Sequence, residues 1–258
     1  MKKLLKGFMV VACMASLSAT FALDGKTVMQ NSKDVKEPKF THALVQMDLI
    51  EKDGTTESRV VEEYGRNVDG LSDMVMVFIS PASVKNTRFL QKQNKDRADD
   101  KWIYLPALRT TRRVASSEGS KSFMGTDATY DDMSTREIDE DTHELLAESE
   151  EKNGYTCAKV KSTPVDSSSS QYKYRISWVD KKTWIPVYAE MYDKKDNLVK
   201  TLQVKEITET KGYLIPSDDV LTNVSTGHST RIKMTKLEID NPIPAKVFTS
   251  NFLNTGKI

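Results

Sequence analysis

Apolar and polar residues alternate with a period of two along most of this chain, the signature of strands that bury one face. Val45, Met47 and Leu49 alternate with Gln46, Asp48 and Ile50. Asp53-Gly54 supplies a hairpin turn and residues 57–64 run back. Asp69-Gly70 marks the next turn before a strand over 74–79, which Pro81 ends. Strands over 89–92 and 102–105 follow, separated by a charged hairpin tip at 94–100. The second half repeats the pattern: strands over 172–179, 184–192, 198–208, 213–215 and 229–239, with turns at 180–183, 193–197, Lys211-Gly212 and Gly227. Turn signals every ten or so residues predict an antiparallel meander.

Helical signals are few. Asp24 is placed to cap a helix through Val28, Met29 and Val35. Thr126 or Asp127 is placed to cap another over 126–134, and 244–248 reads as a final turn. Long strands and short helices predict a mainly β fold: a curved antiparallel sheet whose concave face is covered by a few helices.

One face of the predicted strands carries large, flexible apolar groups: Val45, Met47 and Leu49; Met74, Met76 and Phe78; Tyr174, Ile176 and Trp178; Ile185, Val187, Ala189 and Met191; Leu202 and Val204. Trp102 and Tyr104 alternate with Ile103 and Leu105, and a one-residue change of register exchanges the two pairs. Unbranched, polarizable methionines adapt to ligands of varied shape. The same pattern also describes an ordinary packed core, and periodicity does not separate a hollow from a filled interior.

The chain has 258 residues. Its start reads as a secretory signal: a basic Met1-Lys-Lys-Leu-Leu-Lys6, an apolar run over 7–17, and Thr20-Phe-Ala22 with small residues at −3 and −1. Cleavage before Leu23 leaves one domain over 23–258 in the periplasm. The alternative reads Val10-Val-Ala-Cys13 as a lipidation motif that anchors the chain through Cys13. Removing residues 1–22 takes Lys2, Lys3 and Lys6 from 38 basic residues and none from 37 acidic ones, leaving 35 against 37. A slightly acidic balance of interspersed signs argues against nucleic acid as partner.

Candidate chemistry is sparse. Cys157 is the one cysteine beyond the signal, in an apolar strand with no metal-ligand pattern around it, and no metal or other cofactor is expected. His42, His143 and His228 stand outside any recognisable catalytic motif, so an enzyme, in particular a hydrolase, is disfavoured. Arg109, Arg112 and Arg113 are placed either to meet a lipid phosphate or to pair with carboxylates such as Asp131 or Asp132. A surface binding or adhesion protein remains an alternative. A membrane-spanning barrel does not fit, because Glu62-Glu63, Lys181-Lys182 and Lys194-Lys195 break its outer band.

Four blocks carry a family resemblance. They are Trp102-Ile-Tyr-Leu-Pro106 with Arg109, Arg112 and Arg113; Ser122-Phe-Met-Gly-Thr-Asp-Ala-Thr-Tyr-Asp-Asp-Met133; Trp184-Ile-Pro-Val-Tyr-Ala-Glu-Met-Tyr192 continuing to Leu202; and Gly212-Tyr-Leu-Ile-Pro216 with Gly227-His-Ser-Thr-Arg-Ile232. Together the chain resembles the outer-membrane lipoprotein-sorting family, relatives of the carriers LolA and LolB. The resemblance implies a half-open β-barrel of roughly eleven antiparallel strands with a helical lid. It also implies a carrier of lipid or lipoprotein acyl chains, expected to be a monomer, working toward the outer membrane and sometimes beside an inner-membrane transporter of the resistance-nodulation-division class. On that reading Val45, Met47, Leu49, Met74, Met76, Phe78, Trp102, Tyr104, Ile176, Trp178, Val187, Met191 and Leu202 line the cavity, and Arg109, Arg112 and Arg113 meet a headgroup or the lid. Arg59 and Arg66 are candidates for the sheet arginine that holds the lid.

Overall fold

The structure, a computed structural model, describes residues 23–257; the expected signal segment and Cys13 lie outside the described residues. Thirteen strands form one antiparallel sheet that does not close: β1 (Phe40–Ile50), β2 (Thr56–Val68), β3 (Leu71–Ser80), β4 (Arg88–Lys92), β5 (Asp100–Leu105), β6 (Thr110–Arg113), β7 (Asp141–Lys152), β8 (Tyr155–Pro164), β9 (Tyr174–Asp180), β10 (Pro186–Tyr192), β11 (Leu198–Thr210), β12 (Tyr213–Asn223) and β13 (Ser229–Ile239). The spatial order is β6-β5-β4-β3-β2-β1-β13-β12-β11-β10-β9-β8-β7. Two meanders therefore meet along β1 and β13, and β6 and β7 are the two edges.

The hairpins follow from their turns. Asp69 and Gly70 both take positive φ, 55° and 77°, and so do Lys211 and Gly212, 50° and 77°. Two successive left-handed residues give the tight turn whose twist matches that of paired strands. The thirteen strands exceed the roughly eleven that the resemblance implied. The extra pairing comes largely from β7, whose Glu144, Glu148, Glu150 and Glu151 hide its alternation, and from the four-residue β6.

Because β6 and β7 are opposite edges, the crossing segment 114–140 runs from one side of the sheet to the other. Here a helix over 126–134 was expected, and none forms. Residues 126–134 run as turns instead: Thr126 N–H donates back to the Phe123 carbonyl and Thr129 N–H to the Asp132 carboxylate. The Asp127 carboxylate accepts from Thr230 Oγ1 at 2.8 Å on β13 and lies 2.7 Å from His228 Nδ1, instead of capping a local helix.

Among the described residues, two α-helices complete the fold. In α1 (Gly25–Lys33), the Asp24 carboxylate accepts from Thr27 N at 2.7 Å, the cap its sequence predicts. Val28 is fully buried against Ala158, Val160 and Val179. The helix ends at Lys33, short of Val35. The short α2 (Ser250–Thr255) follows a 3-10 turn at Ala245–Phe248 and is capped by Thr249. Among the described residues, no helix is long and apolar enough to cross a membrane.

Candidate functional site

Directly opposed residues of paired strands share a face, so the face under α1 and the crossing segment can be traced across the sheet. From β1, Met47 and Leu49 lie opposite Ile232 and Thr230 on β13, which lie opposite Asp219 and Leu221 on β12. Leu221 faces Leu202 on β11, Leu202 faces Ala189 on β10, and Ala189 faces Ser177 on β9. Ser177 faces Val160 on β8, and Val160 faces Leu145 on β7. In the other direction Val45 lies opposite Val61, which lies opposite Phe78. This is the inner face.

Its two ends are covered differently. Over β1–β5 the crossing segment fills it: Phe123 and Tyr130 pack among Val45, Met47, Phe78 and Phe89 as core. Over β7–β9 the cover is α1. Half-buried apolar groups extend along this face: Met76, Ile232, Met234 and Leu237 border the filled core, and Leu202 and Met191 continue on β11 and β10 toward the α1 end. A cavity of about 180 Å³ lies under Met29 of α1, against Arg136, Asp141, His143 and Arg175. A second cleft, about 370 Å³, lies at the end of α1 between Val35, Trp184 and Leu214.

The expected cavity residues divide between the faces. Val45, Met47, Leu49, Met74, Met76, Phe78, Met191 and Leu202 share the inner face, the first three and Phe78 as packed core. Trp102 and Tyr104 lie on the outer face, where Phe248, Phe252 and Leu253 of the C-terminal segment pack on them and on Leu90. Their neighbour Ile103 takes the inward position. Ile176, Trp178 and Val187 also lie outward, clustered with Cys157. Val187 departs from the parity of Ala189 and Met191 because the register shifts between Pro186 and Tyr188.

Two of the three arginines read as headgroup candidates are engaged in ion pairs at the sheet edge. Arg112 donates to Glu118 at 2.6 Å and holds that carboxyl down at about 2. Arg113 pairs with Asp100, whose carboxyl Arg97 first, with Asn94 and Arg113 behind it, also holds at about 2. Their partners are thus Glu118 and Asp100, not Asp131 or Asp132. Arg109 sits at positive φ in the β5–β6 turn. Of the two lid candidates, Arg59 is 7 % exposed and donates to the Met124 carbonyl, tying the crossing segment to β2. Arg66 instead pairs with Asp73 and lies over the Phe248 ring on the outer side. Cys157 is buried, and burial pushes its thiol up to about 11, so it offers no thiolate near neutral pH.

Sequence reading passed over the polar groups of the inner face. Asp141 pairs with both Arg136 and Arg175. Lys200 donates to Asp132 at 2.7 Å, and Tyr172 Oη donates to the same carboxylate at 2.8 Å. Two acids stand apart. Glu63 lies opposite Ala43 and Met76, and burial pushes its carboxyl up to about 7. Asp219 lies opposite Val204 and Ile232; burial, then the Asp218 charge, pushes it up to about 7, and its Oδ1 has no hydrogen-bond partner. Only their position opposite apolar partners on alternating strands could have singled them out.

A raised carboxyl value means that the folded chain holds a proton the unfolded chain releases. This contribution is intact below about pH 4 and is lost as pH rises through about 7. Glu63→Gln is therefore expected to raise the melting temperature at pH 8 by about 5 °C, reflecting roughly 2 kcal/mol, and to change it little at pH 4. Equal shifts at both pH values would show that Glu63 ionises normally.

Comparison with known proteins places this architecture. A family model described as an uncharacterized protein matches residues 70–255. An outer membrane lipoprotein-sorting protein domain from Vibrio parahaemolyticus is 28% identical with a TM-score of 0.83, covering 89% of this chain and 98% of that one. A DUF1329 family protein from Desulfovibrio piger is 26% identical with a TM-score of 0.84, covering 89% and 97%. A LolA superfamily protein from Nitrosomonas europaea is 16% identical with a TM-score of 0.68, covering 90% and 100%, and shares the fold. No curated protein matches the chain.

Proposed function

The chain belongs to this uncharacterized family, whose fold is the LolA-like lipoprotein-sorting fold, and from that premise we propose that it carries lipid or lipoprotein acyl chains along the inner face of its sheet. The observation that supports this most is the half-buried stripe of Met76, Met191, Met234, Leu202 and Leu237 along the inner face. Each acyl CH₂ moved from water onto such a surface contributes about 0.8 kcal/mol, so a chain of ordinary lipid length compensates for leaving a bilayer. The described strands and helices act as one non-enzymatic carrier domain over 23–258, exported to the periplasm by its signal or held there through Cys13. An inner-membrane transporter of the resistance-nodulation-division class is the proposed partner for loading or unloading. A packed-core binding protein is the second reading, favoured by the way Phe123 and Tyr130 fill the β1–β5 end.

Native mass spectrometry of the gently purified protein, followed by organic extraction, decides between them. A stoichiometric lipid or acylated peptide is expected, and Met76→Asp or Met191→Asp is expected to lower its occupancy about tenfold, since a buried unpaired carboxylate opposes an acyl chain. A clean apo mass that persists after incubation with lipid vesicles would favour the packed-core reading.

A further inference from the structure

The stripe carries an imbalance of charge that a purely acyl ligand leaves unused. Each basic group on or over the inner face has a partner. Arg59 pairs with Glu57, Arg136 and Arg175 share Asp141, Lys200 pairs with Asp132, and Lys101 donates to Ser134 Oγ. Among the described residues, Glu63 and Asp219 have no basic partner on that face. Glu63 faces Ala43 on one side and Met76 on the other, and its carboxyl is shifted by burial alone. Its side chain is only half-buried, on the same face as Met76. Asp219 lies three strands away, with one oxygen sealed and unpartnered. Both acids thus bias the stripe toward the same sign of ligand charge.

We propose that this stripe takes amphiphiles bearing a protonated primary amine, with the Glu63 carboxylate as the counter-ion and Asp219 adding to the negative potential. This rests on the carrier reading, and adds the cargo's polar chemistry to it. A neutral donor gives Glu63 one hydrogen bond. An ammonium gives it a charge-assisted one in desolvated surroundings, where such bonds are strongest. The same acids repel a fatty-acid carboxylate, so discrimination comes from repulsion as well as attraction. The ammonium has two available sources, a single-chain amine or the ethanolamine headgroup of a phospholipid.

The test is calorimetric titration of the purified protein at pH 8 with dodecylamine, dodecanol, dodecanoate and dihexanoyl phosphatidylethanolamine, in wild type and Glu63→Gln. Wild type is expected to bind dodecylamine about tenfold more tightly than dodecanol and to bind dodecanoate most weakly. In Glu63→Gln the amine-to-alcohol ratio is expected to fall to about one. Glu63-dependent binding of the phosphatidylethanolamine as well assigns the ammonium to a headgroup; its failure beside tight dodecylamine binding assigns it to a single-chain amine. Equal affinity for amine and alcohol in wild type overturns the proposal while leaving the carrier reading intact, and so does an amine preference that survives Glu63→Gln. Failure of every twelve-carbon ligand to bind overturns both. The wild-type comparison stands whether or not the variant folds.

Discussion

Phe123→Ala is expected to destabilise the protein by about 3–5 kcal/mol and to lower its melting temperature by about 10 °C. Phe123 is 2 % exposed, and its ring centroid lies 4.9 Å from Phe89, 5.7 Å from Tyr130 and 6.2 Å from Phe78. The ring therefore does two things. It completes the core over β1–β5, and it is an apolar anchor in the middle of a segment that is also tied to the sheet by polar contacts, through Arg59, Asp127 and Asp132. Truncation leaves a cavity that the antiparallel strands below cannot close, because their register is fixed by pairing on both sides. Thermal unfolding gives the size of the loss, and limited proteolysis near 114–136 gives its location. A melting temperature within about 2 °C of wild type, with the segment still protected, would show that the crossing segment is held by other contacts. Phe123→Leu, which keeps most of the volume, is expected to recover more than half the loss.

Asp141→Asn is expected to cost about 3–5 kcal/mol, because it leaves two guanidinium groups without their carboxylate in a desolvated place. The Asp141 side chain is 4 % exposed; it accepts from Arg136 Nη2 at 2.9 Å and also pairs with Arg175. Burial lowers the basicity of Arg175, and Asp141 acts against that shift. The three groups join separate parts of the chain: the end of the crossing segment, the first residue of the edge strand β7, and β9. Breaking the cluster loosens the far anchor of the crossing segment together with an edge. Adding Arg175→Met to Asp141→Asn removes one of the stranded charges and is expected to restore at least half the stability, measured by urea unfolding. Strictly additive losses would show that the ions act independently.

Most strands were legible because alternation and turn chemistry agree. Asp69-Gly70 and Lys211-Gly212 are turns in both readings, and β1, β4 and β5 appear where the pattern places them. Alternation assigns residues to two faces without saying which face is which. Ile103 and Leu90 therefore had to be located by what packs on them: the crossing segment on one side, the C-terminal segment on the other. Nothing local to Trp102 announces that Phe252 and Leu253, about 150 residues later, will cover it. α2 escaped notice for a similar reason: six residues with two buried apolar groups carry too little periodicity. Val187 was misplaced by a bulge, which changes parity without a sequence signal as strong as a turn. The polar part of the site, Glu63 and Asp219, emerges only when strands distant in sequence are set side by side.

The seam between β1 and β13 joins Thr41 to Ile239, close to opposite ends of the described chain. Each meander pairs neighbours in sequence and can zip as soon as its own hairpins exist, whereas the seam waits for the last strand. During synthesis from the N-terminus, β1 therefore spends nearly the whole period of elongation as an exposed edge, with Val45, Met47 and Leu49 on one of its faces. Until β13 arrives, such an edge can pair with other chains. A nascent chain of this topology gains from being held by a chaperone until its final segment is released.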